Sequence, residues 1–373
     1  MTRRLPTGRL PAATFVLAMT AVPATPALAQ QPAPVSTPSP IPEAPKTPKV
    51  EAGGWVDLYY GYNFNGTDPS LRTYDVQHNA FSLSAAEVNL SKIPSSDSRV
   101  GFRTDLWLGQ SASLTAAFEP EEGAEEIYKH VQQAYVSLLT GKVQWDAGKF
   151  VTPMGAEVIE SQDNWNYTRS ILFGYAIPFY HLGVRATVPV SDKLSLSGYL
   201  TNGWNNVSEI DGAKTIALGT TLRPTGSLTW VANYMLGKEA EGLDTRHLLD
   251  TTLTLAASDR LSFMGNFDYG LEGDVSWWGV AAYGKLQAMP SWAVAARFEY
   301  LDDRDGGFMT FGTRARSITV TSDHTIAGAL KARLEYRTDF SDQDIFVKDD
   351  GSLRGSQSTL TVGVVCYFKR GLF

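Results

Sequence analysis

The chain is short of almost everything an enzyme site is built from. It has one cysteine, Cys366, in 373 residues, so neither an intrachain disulfide nor a cysteine metal cluster can form. Its five histidines, His78, His130, His181, His247 and His324, are scattered without metal-ligand spacing. Serine and aspartate are plentiful but sit in no nucleophile motif. No catalytic residue, metal ligand or cofactor is assigned, and the expectation is a protein that is not an enzyme. Basic excess is missing as well. Formal net charge is −7, and it falls to −10 once Arg3, Arg4 and Arg9 are set aside with the leader described below, which argues against a nucleic-acid partner. Past residue 29 there is no apolar run of the roughly 20 residues a spanning helix needs, which excludes a helical membrane protein.

The first segment reads as a secretory signal. Arg3, Arg4 and Arg9 form a basic start, an apolar stretch runs from Ala12 to Val22, and Ala27-Leu28-Ala29 supplies a small-residue cleavage pattern. Residues 1–29 are expected to be removed after export. Residues 30–52 follow as a periplasmic linker. Seven prolines between Gln30 and Lys49 favour an extended tether over a folded part.

From Gly53 the pattern changes to alternation. In Trp55–Phe64 one face carries Val56, Leu58, Tyr60, Tyr62 and Phe64, and the other Trp55, Asp57, Tyr59, Gly61 and Asn63. Val100, Phe102, Thr104, Leu106 and Leu108 alternate with Arg99, Gly101, Arg103, Asp105 and Trp107. Leu330, Ala332, Leu334 and Tyr336 alternate with Lys331, Arg333, Glu335 and Arg337, and the same holds from Leu360 to Phe368. Period two marks strands. Mean hydropathy is −0.15, a soluble-looking value that a membrane barrel also shows, because only every second residue meets lipid.

The connections separate a barrel from a sandwich. Short ones at 94–98, 140–142, 191–193, 224–227, 258–260, 289–291 and 326–329 alternate with connections that are longer on the whole, at 66–79, 110–129, 153–180, 205–213, 238–245, 271–276, 303–312 and 341–356. Short periplasmic turns and longer outer loops are expected of outer-membrane proteins. Residues 53–373 are therefore read as an all-β, transmembrane, antiparallel up-and-down β-barrel of about 16 strands, with 14 to 18 open. Two places are irregular. The apolar phase shifts between Leu83 and Ala86, as at a β-bulge or a late strand start, and 314–325 is a weakly apolar strand. The aromatic-rich end, with Phe368 closing the last strand and Lys369–Phe373 trailing, resembles the signal that barrel-assembly machinery reads.

Several stretches resemble a known family. Gly148-Lys149-Phe150-Val151-Thr152-Pro153-Met154-Gly155, Asn166-Tyr167-Thr168-Arg169-Ser170 and Ala176-Ile177-Pro178-Phe179-Tyr180-His181-Leu182-Gly183-Val184-Arg185 are the most specific. Tyr199–Trp204 and Arg333-Leu334-Glu335-Tyr336-Arg337 add to them. Together, over most of residues 53–368, they are similar to the β-barrel porin-2 (OmpL-like) family. The resemblance implies an outer-membrane, porin-like protein and says little about its solute.

A barrel this wide encloses a channel whose character rests on inward side chains. The candidate pore-lining set is Asp57, Arg99, Arg103, Asp105, Asp146, Arg169, Arg185, Arg297, Glu299, Lys331, Arg333, Glu335 and Arg337, with Asp268 also inward. Pairing across strands that merely stiffens the wall is the alternative for each. Loop 153–180 holds an apolar run, Ile171–Ala176, that does not belong on a solvated tip, so it is expected to pack inside the lumen; an outer cap or an oligomer contact is the alternative. Glu157 and Glu160 in that loop read as solvated acids, with acid–base work by the pair as the alternative. The block Glu119–Glu126 is either a solvated loop or a collector of divalent cations between surface lipids. The function expected is passive diffusion of small polar solutes or ions across the outer membrane. A structural or adhesion barrel with a closed lumen is the alternative, and a barrel enzyme comes last. Lipid and a homo-oligomer are the other partners expected.

Overall fold

The computed structural model describes residues 50–117, 126–209, 212–239, 242–306 and 312–372. The expected signal and the tether up to residue 49 lie outside the described residues, as do Glu119, Glu121, Glu122 and Glu125 of the acidic block.

Alternation becomes strand wherever the sequence repeats in twos. The first four strands are β1 (Val50–Asn63), β2 (Ala80–Lys92), β3 (Val100–Leu108) and β4 (Val131–Thr140). Next come β5 (Val143–Val151), β6 (Tyr180–Ser191), β7 (Leu194–Thr201) and β8 (Thr215–Thr225). They are followed by β9 (Leu228–Gly237), β10 (Arg246–Ala256), β11 (Leu261–Glu272) and β12 (Val275–Met289). The chain continues through β13 (Trp292–Asp302), β14 (Arg314–Ile326) and β15 (Leu330–Ser341), and ends in β18 (Ser356–Gly371). Two-residue strands β16 (Phe346–Val347) and β17 (Leu353–Arg354) make a separate hairpin within the last long connection. Neighbours pair antiparallel in sequence order, and β1 pairs with both β2 and β18, so sixteen strands close a barrel. Closure leaves no unpaired edge, which is the condition for strands to stand in hydrocarbon.

The outward rows are apolar and exposed: Val56, Leu58, Leu106, Leu108, Ile318, Val320, Leu334, Leu360 and Val362 are among them. Tyr62, Tyr234, Tyr269 and Trp278 lie on the outer surface towards the long-loop end, and Trp145, Trp230 and Phe368 towards the turn end. Two aromatic girdles bounding an apolar band are what a bilayer requires.

The phase shift in β2 is a bulge. Asp57 pairs with Ala85 and Leu58 with Leu83, leaving Ser84 as the extra residue. Three boundaries differ from the sequence reading. The first strand starts at Val50, inside the stretch assigned to the linker, and the last runs on to Gly371 and not to Phe368. One register explains both: Glu51 faces Gly371, and Lys369 reaches Glu51 at 2.7 Å, so polar residues that look like tail are rim strand. The connection placed at 271–276 is only the two-residue turn 273–274, because β11 and β12 stay paired to Glu272↔Val275.

Among the described residues two short α-helices belong to the connections: α1 (Gln110–Ala116) and α2 (Ile171–Tyr175). Ser170 caps α2 by accepting the Phe173 N–H. The apolar run that looked out of place on a loop is this helix, with Ile171, Leu172 and Phe173 buried.

Candidate channel constriction

The connection between β5 and β6, residues 152–179, turns into the barrel and is held there by the wall. Near its start the Gly155 N–H donates to Asp250 at 3.0 Å, and Asn233 donates to the Pro153 carbonyl at 3.0 Å. At its far side, β13, β14 and β15 hold its main chain. Glu335 accepts the N–H of Tyr167 at 2.6 Å and of Thr168 at 3.0 Å, and also the Thr321 hydroxyl at 2.6 Å. Arg333 donates to the carbonyls of Ser161 at 2.5 Å and Asn164 at 2.7 Å, while Asp323 balances its charge at 2.8 Å. Arg297 donates to the Thr168 carbonyl at 2.6 Å and pairs with Glu157 at 2.7 Å and Glu299 at 3.1 Å. Arg337 donates to the Arg169 carbonyl at 2.6 Å and pairs with Asp339 at 2.7 Å. Glu299 accepts the Ile171 N–H, Asp57 accepts the Tyr167 hydroxyl at 2.9 Å, and Lys331 donates to the Gln162 carbonyl at 2.7 Å.

This changes what those charges are for. Arg297, Glu299, Arg333, Glu335, Arg337 and Asp57 do face inward, but all are buried beneath the loop, with their hydrogen-bonding capacity turned on its backbone. A buried ion pair is stable only when its remaining donors and acceptors are also satisfied, and the loop carbonyls and amides satisfy most of them, Arg337 Nη2 and Asp323 Oδ1 being the exceptions. Arg169 is internal to the loop: it donates to the carbonyls of Val158 at 2.9 Å, Tyr167 at 2.6 Å and Ile159, and its guanidinium lies 5.3 Å from the Tyr74 ring. It is a brace that fixes the loop's own turns.

Close approach of the loop is written into two wall glycines. A Cβ on Gly363 would lie 2.4 Å from the Tyr167 ring, and one on Gly279 would lie 3.0 Å from Leu172. The first connection, residues 64–79, also enters. Arg72 is buried and pairs with Asp75 at 2.9 Å and Asp339 at 2.6 Å. Burial pushes the Asp75 carboxyl up to about 6 against the pull of Arg72 and Arg337. Leu71 and Tyr74 are buried beside it. Sequence reading missed this insertion, although Leu71 and Tyr74 carry the same signal as Ile171–Ala176, apolar side chains in a connection.

The rest of the candidate set stands apart, on β3 to β6. Arg103 pairs with Asp105 at 2.8 Å, and Gln133 donates to Asp105 at 2.6 Å. Arg185 pairs with Asp146 at 2.8 Å, and its guanidinium stacks on Tyr135 and Phe150 at 5.0 and 4.8 Å. Arg103 keeps 38 % of its side chain exposed, so water reaches this side of the lumen. Asp268 lies opposite Asp250 within the wall. Arg99 departs from the expectation. It precedes β3, in the connection, and is exposed there while its carbonyl accepts the Leu139 N–H. It gained its inward reading only by extending the β3 alternation one residue too far.

Glu157 and Glu160, read from sequence as solvated acids, are neither free nor alike. Glu157 is buried against Arg297 and accepts the Ser170 N–H at 2.6 Å. Burial raises the Glu160 carboxyl above its ordinary range, although Arg103 opposes the shift. Among the described residues no group of three His, Cys, Asp or Glu is arranged to hold a metal ion.

Comparison with known proteins agrees with this architecture. A family model described as beta-barrel porin-2, OmpL-like, matches residues 49–368. Comparison with curated proteins gave no match. Among solved structures, the anion-selective porin from Comamonas acidovorans is 12% identical at a TM-score of 0.59, over 86% of this chain and 100% of that one. The outer membrane channel DcaP of Acinetobacter baumannii is 12% identical at 0.58, over 87% and 99%. OmpT of Vibrio cholerae, an outer membrane protein, is 11% identical at 0.56, over 87% and 99%. At such identities the likeness is one of fold.

Proposed function

Because the chain belongs to the β-barrel porin-2 (OmpL-like) family, an outer-membrane group, we propose that it is a passive diffusion channel for small polar solutes or ions. One observation supports this reading above the others: a closed sixteen-stranded barrel with an apolar outer face, a polar inner face and a connection seated inside it as a constriction. Selectivity in such a pore follows from lining charges and width. Among the candidate charges, those proposed to meet solute are the arginines of the Arg103–Asp105 and Arg185–Asp146 pairs, since Arg297, Lys331, Arg333 and Arg337 are engaged by the loop. The role proposed is passage and not catalysis. Export with removal of residues 1–29, assembly through the last strand, and a homo-oligomer belong to the same proposal; a related fold, OmpT, has a trimer form.

A second reading is favoured by one feature. Trp55, Trp107, Trp277, Tyr199 and Tyr283 are bulky inward residues, fully packed, as a structural barrel with a shut lumen would have. Liposome swelling with sugars of graded size decides between them. Swelling that falls off with sugar size supports the channel; no swelling with any sugar, from protein shown to be folded by its heat-dependent gel mobility, leaves the structural barrel.

A further inference from the structure

The lumen wall on β2 and β3 carries more negative charge than its neighbourhood balances. Glu87 on β2 is 4 % exposed. Its Oε1 accepts from Asn89 at 3.0 Å, and its Oε2 is buried with no hydrogen-bond partner. The constriction loop brings Glu160 to the same place, close enough that Glu87, Asp105 and Glu160 feel one another's charge. The nearby cation is Arg103, and its Nε is already committed to both oxygens of Asp105, at 3.0 and 2.8 Å. Three carboxylates thus share one guanidinium. A buried carboxylate oxygen without a partner is costly unless a cation or a donor comes to it. The neighbours also have a particular chemistry. In register, Glu87 stands opposite Trp55 on one side and Trp107 on the other, both buried on the inner face. Carboxylates set between indole rings suit an alkylammonium, which takes charge from the first and cation–π attraction from the second. A coordinated metal is the poorer fit, since no three acidic groups converge on one point among the described residues.

We propose that Glu87 and Glu160, flanked by Trp55 and Trp107, form a binding site on the lumen wall for the ammonium group of a cationic solute. As a station for a permeating solute it rests on the channel reading, but binding itself does not require conduction. Half-buried Glu160 and half-buried Arg103 give the site its access to water.

The test is calorimetric titration of spermidine into the detergent-solubilised full chain, with magnesium chloride as the second probe. Spermidine is expected to bind with one-to-one stoichiometry, and Glu87→Gln and Glu160→Gln are each expected to weaken it about tenfold, since each removes one charge at short range. Both variants are first shown to be folded by heat-dependent gel mobility. Trp55→Leu gives an independent arm, expected to weaken spermidine several-fold and leave magnesium unchanged. Absence of spermidine binding to the wild type overturns the proposal, as does wild-type affinity in either glutamine variant or tighter binding of magnesium. Failure of the channel reading would appear separately, as spermidine binding by a protein that passes no sugar.

Discussion

Glu335 ties the constriction to the wall most directly, so Glu335→Ala is the sharpest perturbation of it. The carboxylate is buried and accepts two loop amides, from Tyr167 and Thr168. Hydrogen bonds to a charged group contribute about 1.5–3 kcal/mol each. Losing both amide bonds should therefore favour local release of the loop by about 3–6 kcal/mol. The barrel itself should stand, because residue 335 keeps its backbone pairing with Thr321 and Thr361 whatever side chain it carries. Amide hydrogen exchange reads the outcome at the two bonded groups themselves, since local opening governs exchange there. At 1.36 kcal/mol per factor of ten, the Tyr167 and Thr168 amides should exchange roughly a hundred- to ten-thousand-fold faster, while amides of β14 and β15 keep their protection. If Tyr167 and Thr168 exchange at the wild-type rate in a folded variant, Glu335 is not an anchor and the account of the wall charges is wrong.

Other perturbations test other parts. Leu334 is 50 % exposed on the outer face, so Leu334→Arg should cost about 2–4 kcal/mol in the bilayer and lower the yield of heat-modifiable barrel. Gln144→Arg on the inner face of β5 should assemble normally; equal loss in both would invert the assigned faces. Gly363→Ala forces the Tyr167 ring aside and should cost about 1–3 kcal/mol of loop seating, visible as faster proteolysis within 161–174. Asp75 is held up at about 6, above its unfolded value near 4, so its protonated form stabilises the seated first connection. That stability is complete below about pH 4 and is lost as pH rises through 6. Exchange protection in 64–79 should fall across this window in the wild type and stay level in Asp75→Asn.

How far the sequence led can be judged residue by residue. Strand faces were legible because lipid and lumen impose period two, as at Leu334 against Arg333 and Glu335. The bulge at Ser84 was legible because it broke that period. The inward loop was legible because Ile171–Ala176 could not face water. What Arg297, Arg333 and Arg337 do was not legible. An inward arginine reads the same whether it meets water or a loop carbonyl, and the deciding partners lie 128 to 172 positions away. The first connection was missed because Leu71 and Tyr74 are two residues and not a run. Rim residues Lys369 and Arg370 hid the end of β18 because polar side chains are as welcome at a membrane boundary as in a tail.

The account stands most directly on single-channel conductance in a planar bilayer, compared between the wild type and a chain lacking residues 161–174. Removing that segment takes away most of the longer of the two inserted connections and leaves every barrel strand in place. Discrete conductance steps in the wild type, several-fold larger in the deletion, are the result expected of a channel narrowed by its own loop. Steps of equal size in both, or none in either from folded protein, would contradict it.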